Sequence, residues 1–254
     1  MEPAWAKDFP RLYELYRESE QDSETNYFKD FDSVLTIPPD KSPARSSYER
    51  LEKELGELDK AAWQELRQKA LKCITIKNEL RGHNQLFECL NEAKGYLYLN
   101  SEGYKEIHFI PKENSKTPDL IARRGSSVAL LEVKTINESE DELNWISLNS
   151  KEFTLYWKAR LEKREPPVQR KLVREVRQGL DDSLKCKIAV KIWEAKCQLL
   201  GYDIEKVDRR IVYLAIRLDI LTAMNPRNID ELAAYIQQQS DNQIEVVHTL
   251  LRLL

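Results

Sequence analysis

Glycine is scarce in this chain. Seven glycines occur among 254 residues, and the two nearest in sequence lie eight residues apart. Glycine-rich phosphate-binding loops need several glycines within about six residues, because the backbone must approach the phosphates closely. Neither GxGxxG nor GxxxxGK[ST] is present, so the sequence excludes a nucleotide-binding loop of this kind.

Cysteine and histidine are also few. The four cysteines show no CxxC spacing, and the chain has only three histidines. Structural zinc sites use four thiolate or imidazole ligands, commonly in closely spaced pairs. We therefore expect no zinc site, and we expect free thiols of the kind found in the reducing cytoplasm.

The chain has neither a strong charge of one sign nor a long hydrophobic run. Its 40 Lys and Arg against 43 Asp and Glu give a net charge of -3 at pH 7, so any surface for a polyanion must be local. A membrane-spanning helix needs about 18 consecutive apolar residues, and no run approaches that length. The acidic N-terminus resembles no targeting segment. We expect a cytoplasmic protein without a membrane partner.

The sequence divides into a helical N-terminal region, residues 1–80, and a second domain, residues 81–254. In the first region, apolar residues at helical spacing predict helices over Ala4–Arg17 and Ser47–Ile74. Three prolines within Ile37–Pro43 predict a break between these helices.

The second domain mixes helical and extended patterns. Gln85–Lys94 predicts a short helix ended by Gly95 as its C-terminal cap, and a long helical region is predicted over residues 168–200. The remaining patterns predict three short strands as a meander, a strand buried on both faces and a final helix, over residues 106–111, 119–123, 128–136, 210–218 and 225–239.

Three charged residues interrupt the apolar strand patterns. Side chains alternate along a strand, so Glu132 and Lys134 share one face while Val133 faces the core. If residues 119–123 pair with residues 128–136 through a tight turn, Asp119 comes level with Glu132. Burying such charges is costly without a partner, and a divalent cation such as Mg²⁺ suits two carboxylates. Otherwise Glu132 and Lys134 form a surface ion pair and Asp119 caps a turn.

The E-x-K triplet is not specific by itself, because the chain contains three, at Glu92–Lys94, Glu132–Lys134 and Glu194–Lys196. The first and third lie in helical patterns, where residues two apart face different directions. Only the second lies in a strand pattern, and only this one has a Pro-Asp pair 13 residues before its glutamate.

Pro118–Asp119 together with Glu132–Lys134 resembles the motif of the PD-(D/E)XK nuclease superfamily. The predicted order of helix, three-strand meander, helix and strand over about residues 80–220 also resembles its restriction-endonuclease-like core. The resemblance implies an α/β fold with that core, preceded here by the helical N-terminal region.

The resemblance also implies roles for the motif residues. Asp119 and Glu132 would bind Mg²⁺, with Mn²⁺ as a substitute, and the Val133 carbonyl would be a further ligand. Lys134 would position or deprotonate the attacking water. These roles are chemically sound, because a bound cation activates water and stabilises the developing negative charge.

Members of this superfamily often carry an acidic residue on the helix before the meander, and some carry a Lys or Gln on the helix after it. Glu88 is the best-placed acid, with Glu92 and Gln85 one turn away on either side. Gln198 is the candidate on the later helix. Ordinary solvent-exposed positions would explain these residues equally well.

A local excess of positive charge indicates the substrate class. Residues 151–196 contain 13 Lys and Arg against 7 Asp and Glu, and Arg123 and Arg124 lie in the predicted turn. Such a stretch suits a phosphate backbone, with Tyr156 and Trp157 as stacking surfaces. A solvated helix face would carry similar charges.

Taken together, these features predict a Mg²⁺-dependent endonuclease that hydrolyses phosphodiester bonds in DNA. Two alternatives remain open: a catalytically inactive nucleic-acid-binding or assembly protein on the same fold, and a helical interaction scaffold that uses the helix over 47–74. Duplex cleavage needs either two active sites or a re-binding event, and a homodimer would provide the two sites.

Overall fold

The computed structural model describes residues 2–19, 23–31, 35, 43–78, 82–111, 117–137, 182–204, 206–217 and 226–251. Over these ranges the protein is a mixed α/β structure with a five-stranded mixed sheet. Six α-helices occur within them: α1 (Pro10–Glu18), α2 (Pro43–Gly56), α3 (Lys60–Leu71), α4 (Asn84–Ser101), α5 (Asp182–Gly201) and α6 (Pro226–Gln237). None of these described helices is both long and apolar enough to cross a membrane.

The N-terminal region is helical, as predicted, but its elements are shorter. A 3₁₀ helix, Ala4–Lys7, precedes α1, and a second 3₁₀ helix is Tyr27–Asp30. Pro10 is the first residue of α1, where a backbone N–H would have no partner within the helix. Proline suits this position because it has no N–H. The carboxylate of Glu52, on α2, accepts the next two backbone N–H groups of α1, those of Arg11 and Leu12, at 2.7 and 3.0 Å.

The single helix predicted over residues 47–74 is wrong, because the chain forms α2 and α3 with a break between Gly56 and Lys60. The side chain of Asp59 accepts the backbone N–H of Ala62 at 2.9 Å, which starts a new helix. The continuous apolar stripe concealed this break, since both helices pack on the same core.

The predicted end of a helix at Gly95 is also wrong, because α4 continues to Ser101. Glycine is required there by packing against the sheet. A Cβ atom on Gly95 would lie 2.7 Å from Val133 Cγ2 and 2.8 Å from Leu131 Cδ2. The sequence pattern could not distinguish a helix cap from such a close approach.

The sheet has the order β1-β2-β3-β4-β5, and its strands are β1 (Glu106–Phe109), β2 (Leu120–Arg124), β3 (Ser127–Ile136), β4 (Arg209–Arg217) and β5 (Glu245–Leu251). The first three strands pair antiparallel, and β3, β4 and β5 pair parallel. Gly125, with φ +61°, forms the tight turn between β2 and β3. The predicted meander and the buried β4 are therefore confirmed.

An apolar cluster covers each face of the sheet. One contains α5, α6 and the inward side chains of β4. The other combines α4 and the sheet with side chains from the first 80 residues, among them Phe9, Leu66 and Ile74. The predicted boundary at residue 80 therefore runs through a shared core. Most of the predicted Ile37–Pro43 break and residues 168–181 of the predicted long helix lie outside the described residues.

Candidate functional site

Asp119 lies where β2 begins and where its pairing with β3 stops. Its backbone N–H donates to Leu131 O at 3.1 Å, and its carboxylate oxygen Oδ2 accepts the backbone N–H of Val133 at 2.9 Å. The preceding residue is Pro118, which has no N–H to continue the ladder. The Asp119 side chain serves as the acceptor for the Val133 N–H in place of a backbone carbonyl, and the residue is 2% exposed.

Glu132 and Lys134 extend from the same face of β3, as the strand period predicts. Lys134 Nζ lies 2.6 Å from Glu132 Oε1. The Glu132 carboxylate is 2% exposed, whereas the lysine side chain is 17% exposed. Val133 points to the opposite face, where it contacts α4 at Gly95.

Gln198, on α5, joins this group. Its Oε1 accepts from Lys134 Nζ at 2.7 Å, and its Nε2 donates to the backbone carbonyl of Thr117 at 3.3 Å. The glutamine therefore connects the ammonium to the segment that leads into Asp119. The structure brings Asp119, Glu132, Lys134 and Gln198 together at one end of β2 and β3.

The charges of this group are expensive to bury. Removing a carboxylate from water costs several kcal/mol, which a nearby cation offsets only with good geometry. The group places two buried carboxylates beside one ammonium at the end of β2 and β3. Convergent polar groups of this kind define a candidate functional site where a cleft opens onto them.

A cleft of about 760 Å³ opens onto these residues. It is lined by residues at the end of β1, by Asp119 directly before β2, by residues of β3, and by residues of α3 and α4 together with Lys191 of α5. Clefts of this size hold ligands far larger than a hydrated ion. Its charged lining residues are Glu65, Lys69, Lys72, Glu88, Glu92, Asp119, Glu132, Lys134 and Lys191.

The three candidates on α4, Gln85, Glu88 and Glu92, all line this cleft. Glu88 is exposed and accepts long hydrogen bonds from Asn84 and Asn137, at 3.3 and 3.4 Å. Glu92 is 6% exposed, and its Oε2 lies 2.7 Å from Lys69 Nζ. Glu92 is thus the buried carboxylate of the helix, while the sequence favoured Glu88.

The donor set bears on the expected Mg²⁺. The described residues contain no cluster of three or more His, Cys, Asp or Glu side chains placed to hold a metal. Asp119 and Glu132 provide two buried carboxylates, and Mg²⁺ is commonly held by one or two carboxylates together with water and substrate phosphate oxygens. The chemistry of these two donors therefore fits Mg²⁺.

Arg123 and Arg124 lie at the opposite end of β2 from Asp119, and neither is among the cleft residues. The Arg124 guanidinium donates to Glu102 O at 2.8 Å and lies over the Tyr104 ring. The structure does not bring these arginines to the carboxylates. Residues 151–181 of the predicted basic stretch, with Tyr156 and Trp157, lie outside the described residues.

The sequence did not predict that the N-terminal region reaches this cleft. Lys69 and Lys72, on the last turn of α3 and the residue after it, stand beside α4. The sequence indicated only that residues 1–66, with 16 Asp and Glu against 9 Lys and Arg, are unsuited to contact DNA along their whole length, and that count stops before Lys69. One sequence feature could have indicated this position. Lys69 and Lys72 lie near the end of the predicted helix over residues 47–74, and the apolar stripe of that helix must pack against another part of the protein.

Comparison of the chain with family models, with curated proteins and with solved structures gave no match.

Proposed function

We propose that this protein is a metal-dependent nuclease that hydrolyses phosphodiester bonds in DNA. One observation carries the proposal: the buried carboxylates of Asp119 and Glu132 meet Lys134 at the floor of a cleft large enough for a nucleic-acid segment. The choice of DNA rests on the resemblance of Pro118–Asp119 and Glu132–Lys134 to the PD-(D/E)XK motif.

Asp119 and Glu132 would hold Mg²⁺, and Mn²⁺ could replace it, with the Val133 carbonyl as a further oxygen donor. When bound, such a cation makes water a better nucleophile near neutral pH and stabilises charge on the phosphate. The Val133 N–H keeps the Asp119 carboxylate in place, so the ligand is oriented before any ion arrives.

Lys134 would orient the attacking water and neutralise negative charge as the phosphorus–oxygen bond breaks. Its ammonium already lies within 2.7 Å of both Glu132 and Gln198, so its position costs little reorganisation. Gln198 acts through Lys134 as a positioning residue.

Cleavage assays test this proposal. Supercoiled plasmid, single-stranded DNA and RNA are incubated with Mg²⁺ or Mn²⁺ and with wild type, Asp119→Ala or Lys134→Ala. Lys185→Ala is the control, because Lys185 also forms an ion pair, with Glu231 at 2.7 Å, but neither residue is among the cleft residues.

We expect metal-dependent cleavage that falls at least about 100-fold in both cleft variants, as when a charge-stabilising group is removed from an active site. Lys185→Ala should cleave as wild type does. Cleavage that survives Asp119→Ala would refute the proposed site.

A second candidate function is a nucleic-acid-binding or assembly protein without turnover. Two ion pairs favour it: Lys134 already neutralises part of the Glu132 charge, and Lys69 already occupies Glu92. Titration calorimetry separates the two functions, because only the nuclease requires Mg²⁺ binding that is lost in Asp119→Ala.

A further inference from the structure

Helix α3 belongs to the N-terminal helical region, yet one side of it faces the candidate active site. Glu65, Gln68 and Lys69 on α3 line the cleft, and Lys72 and Cys73 directly after the helix do so too. Lys191 on α5 lines the same cleft, although α3 and α5 pack in different apolar clusters, on opposite faces of the sheet. Basic side chains from both faces therefore line the cleft that also contains the carboxylates of Asp119 and Glu132.

Helix α3 is firmly attached. Trp63, Leu66 and Ala70 are buried in the core shared with α4 and the sheet. The Trp63 indole N–H donates to Glu14 at 2.7 Å, and Asp59 at the helix start accepts from the Tyr96 hydroxyl at 2.9 Å. A wall held in this way presents its lysines to a ligand with little further loss of backbone entropy.

The two lysines are held differently. The Lys69 side chain is 23% exposed, and its ammonium contacts Glu92 and lies 5.1 Å from the centre of the Phe109 ring. Lys72 is exposed at the cleft rim, and no acidic side chain within the described part of the chain forms an ion pair with it. Cations near a helix C-terminus stabilise the helix dipole, but this does not explain why Lys69 is directed into the cleft.

A ligand that contacts Lys69, Lys72 and Lys191 together must carry several negative charges along its length. Phosphodiester chains meet this requirement, because each nucleotide adds a charge that a lysine can contact without reading the base.

We infer that α3 is a wall of the substrate cleft and that Lys69 and Lys72 bind phosphate groups of the nucleic-acid chain next to the cleaved bond. This inference rests on the proposed function for its ligand class. It gives the N-terminal region a direct part in substrate binding.

Fluorescence anisotropy in EDTA tests the inference without cleavage. A labelled DNA duplex and a labelled single strand are titrated with wild type, Lys72→Glu and Lys69→Gln. Lys60→Glu is the control, because Lys60 is exposed on the same helix but is not among the cleft residues. Thermal unfolding of each variant verifies that Lys69→Gln, which loses its contact with Glu92, remains folded.

We expect Lys72→Glu to weaken binding at least tenfold and Lys60→Glu less than twofold. Lys72→Ala should reduce the slope of log K against log salt by about 1, as expected for one lost phosphate contact. Equal effects of Lys72→Glu and Lys60→Glu would overturn the inference, and so would a wild type that binds neither nucleic acid.

The outcomes also separate this inference from the proposed function. If the protein cleaves DNA but Lys72→Glu does not weaken DNA binding, the proposed nuclease function stands and the inference about α3 fails. If Lys72→Glu weakens binding but no metal-dependent cleavage occurs, the inference about α3 stands and the nuclease function fails.

Discussion

Lys134 connects three parts of the chain at a single ammonium group. It donates to Glu132 on its own strand and to Gln198 on α5, and Gln198 in turn reaches the carbonyl of Thr117 before β2. The lysine therefore has a structural task in addition to its proposed chemical one, since it offsets a carboxylate that is almost fully buried.

Replacing Lys134 by Met tests that structural task. The change leaves the Glu132 carboxylate buried without its cation, which costs about 3 kcal/mol in comparable pairs. We expect a loss of this order in the free energy of unfolding, measured by urea denaturation in EDTA. Added Mg²⁺ should recover more stability in the variant than in wild type, because the ion would replace the missing positive charge.

Lys185→Met provides the comparison. The ion pair of Lys185 with Glu231 is more exposed than that of Lys134 with Glu132, and ion pairs in contact with solvent contribute little to stability. Equal losses in the two lysine variants would show that the buried pair at Glu132 has no special role in stability.

The site residues that the sequence predicted well lie on short, strongly patterned segments. Asp119, Glu132 and Lys134 follow from strand periodicity and one tight turn, both of which are local properties. Glu92 and Lys69 could not be found in this way, because their pairing depends on how α3 packs against α4. Arg123 and Arg124 were near Asp119 in sequence, yet β2 separates them from it in space.

Helix α4 approaches the sheet closely at Gly95. Its Gly95 has no room for a Cβ atom next to Val133 and Leu131, the neighbours of Glu132 on β3. A displacement of α4 would therefore shift Glu92, which lies on α4, and would also shift β3, which carries Glu132.

We expect Gly95→Ala to lower the free energy of unfolding by about 1 kcal/mol. Overpacking a core costs about 1–3 kcal/mol, and the better helix propensity of alanine offsets part of it. Gly56→Ala is the control, because nothing lies within 4 Å of a Cβ atom there, and it should be neutral or stabilising. Chemical denaturation of both variants measures the difference, and a Gly95→Ala protein as stable as Gly56→Ala would contradict the close approach.

Asp59 controls the start of α3 and gives a pH-dependent prediction. The Ala62 backbone N–H donates to its carboxylate, and together with the Tyr96 hydroxyl it lowers the pKa of Asp59 from its ordinary value of 3.8. A lowered pKa means that the ionised form stabilises the fold. The contribution is complete above the unfolded pKa and disappears as the pH falls through the lower folded pKa.

We therefore expect Asp59→Ala to lose about 1 kcal/mol at pH 7, the usual value of an N-cap. The gap in stability between wild type and variant should close in acid below about pH 4. Unfolding curves from pH 7 to pH 2 test this expectation, and a gap that is independent of pH would exclude the Asp59 carboxylate as its source.

Element order was predictable for the meander and for β4, because each is a short apolar segment with clear boundaries. Element length was not. The apolar stripe over residues 47–74 fits either one helix or two, and Gly95 fits either a helix end or a close contact with the sheet. Tertiary packing decided between these structures.

At the scale of the molecule, the N-terminal region and the sheet share one apolar core. Phe9, Leu66 and Ile74 pack in the same cluster as Leu120 and Tyr213. A chain limited to residues 81–254 would expose that face of α4 and the sheet to water.

We expect wild type to unfold in one transition, with the same urea midpoint by tryptophan fluorescence and by far-UV circular dichroism. The fragment 81–254 should bind a hydrophobic dye and unfold without a sharp transition. A fragment with its own cooperative unfolding would instead support an independent domain after residue 80.

The parallel pairing of β3 with β4 also sets an order of events during synthesis. Leu131 pairs with Ile211, roughly 80 residues later in the chain. At about 5–20 residues per second, the ribosome needs on the order of 4–16 s to supply that partner. During this interval the edge of β3 is available to other strands, so chaperone occupancy on ribosome-bound chains should peak before β4 emerges and fall after it.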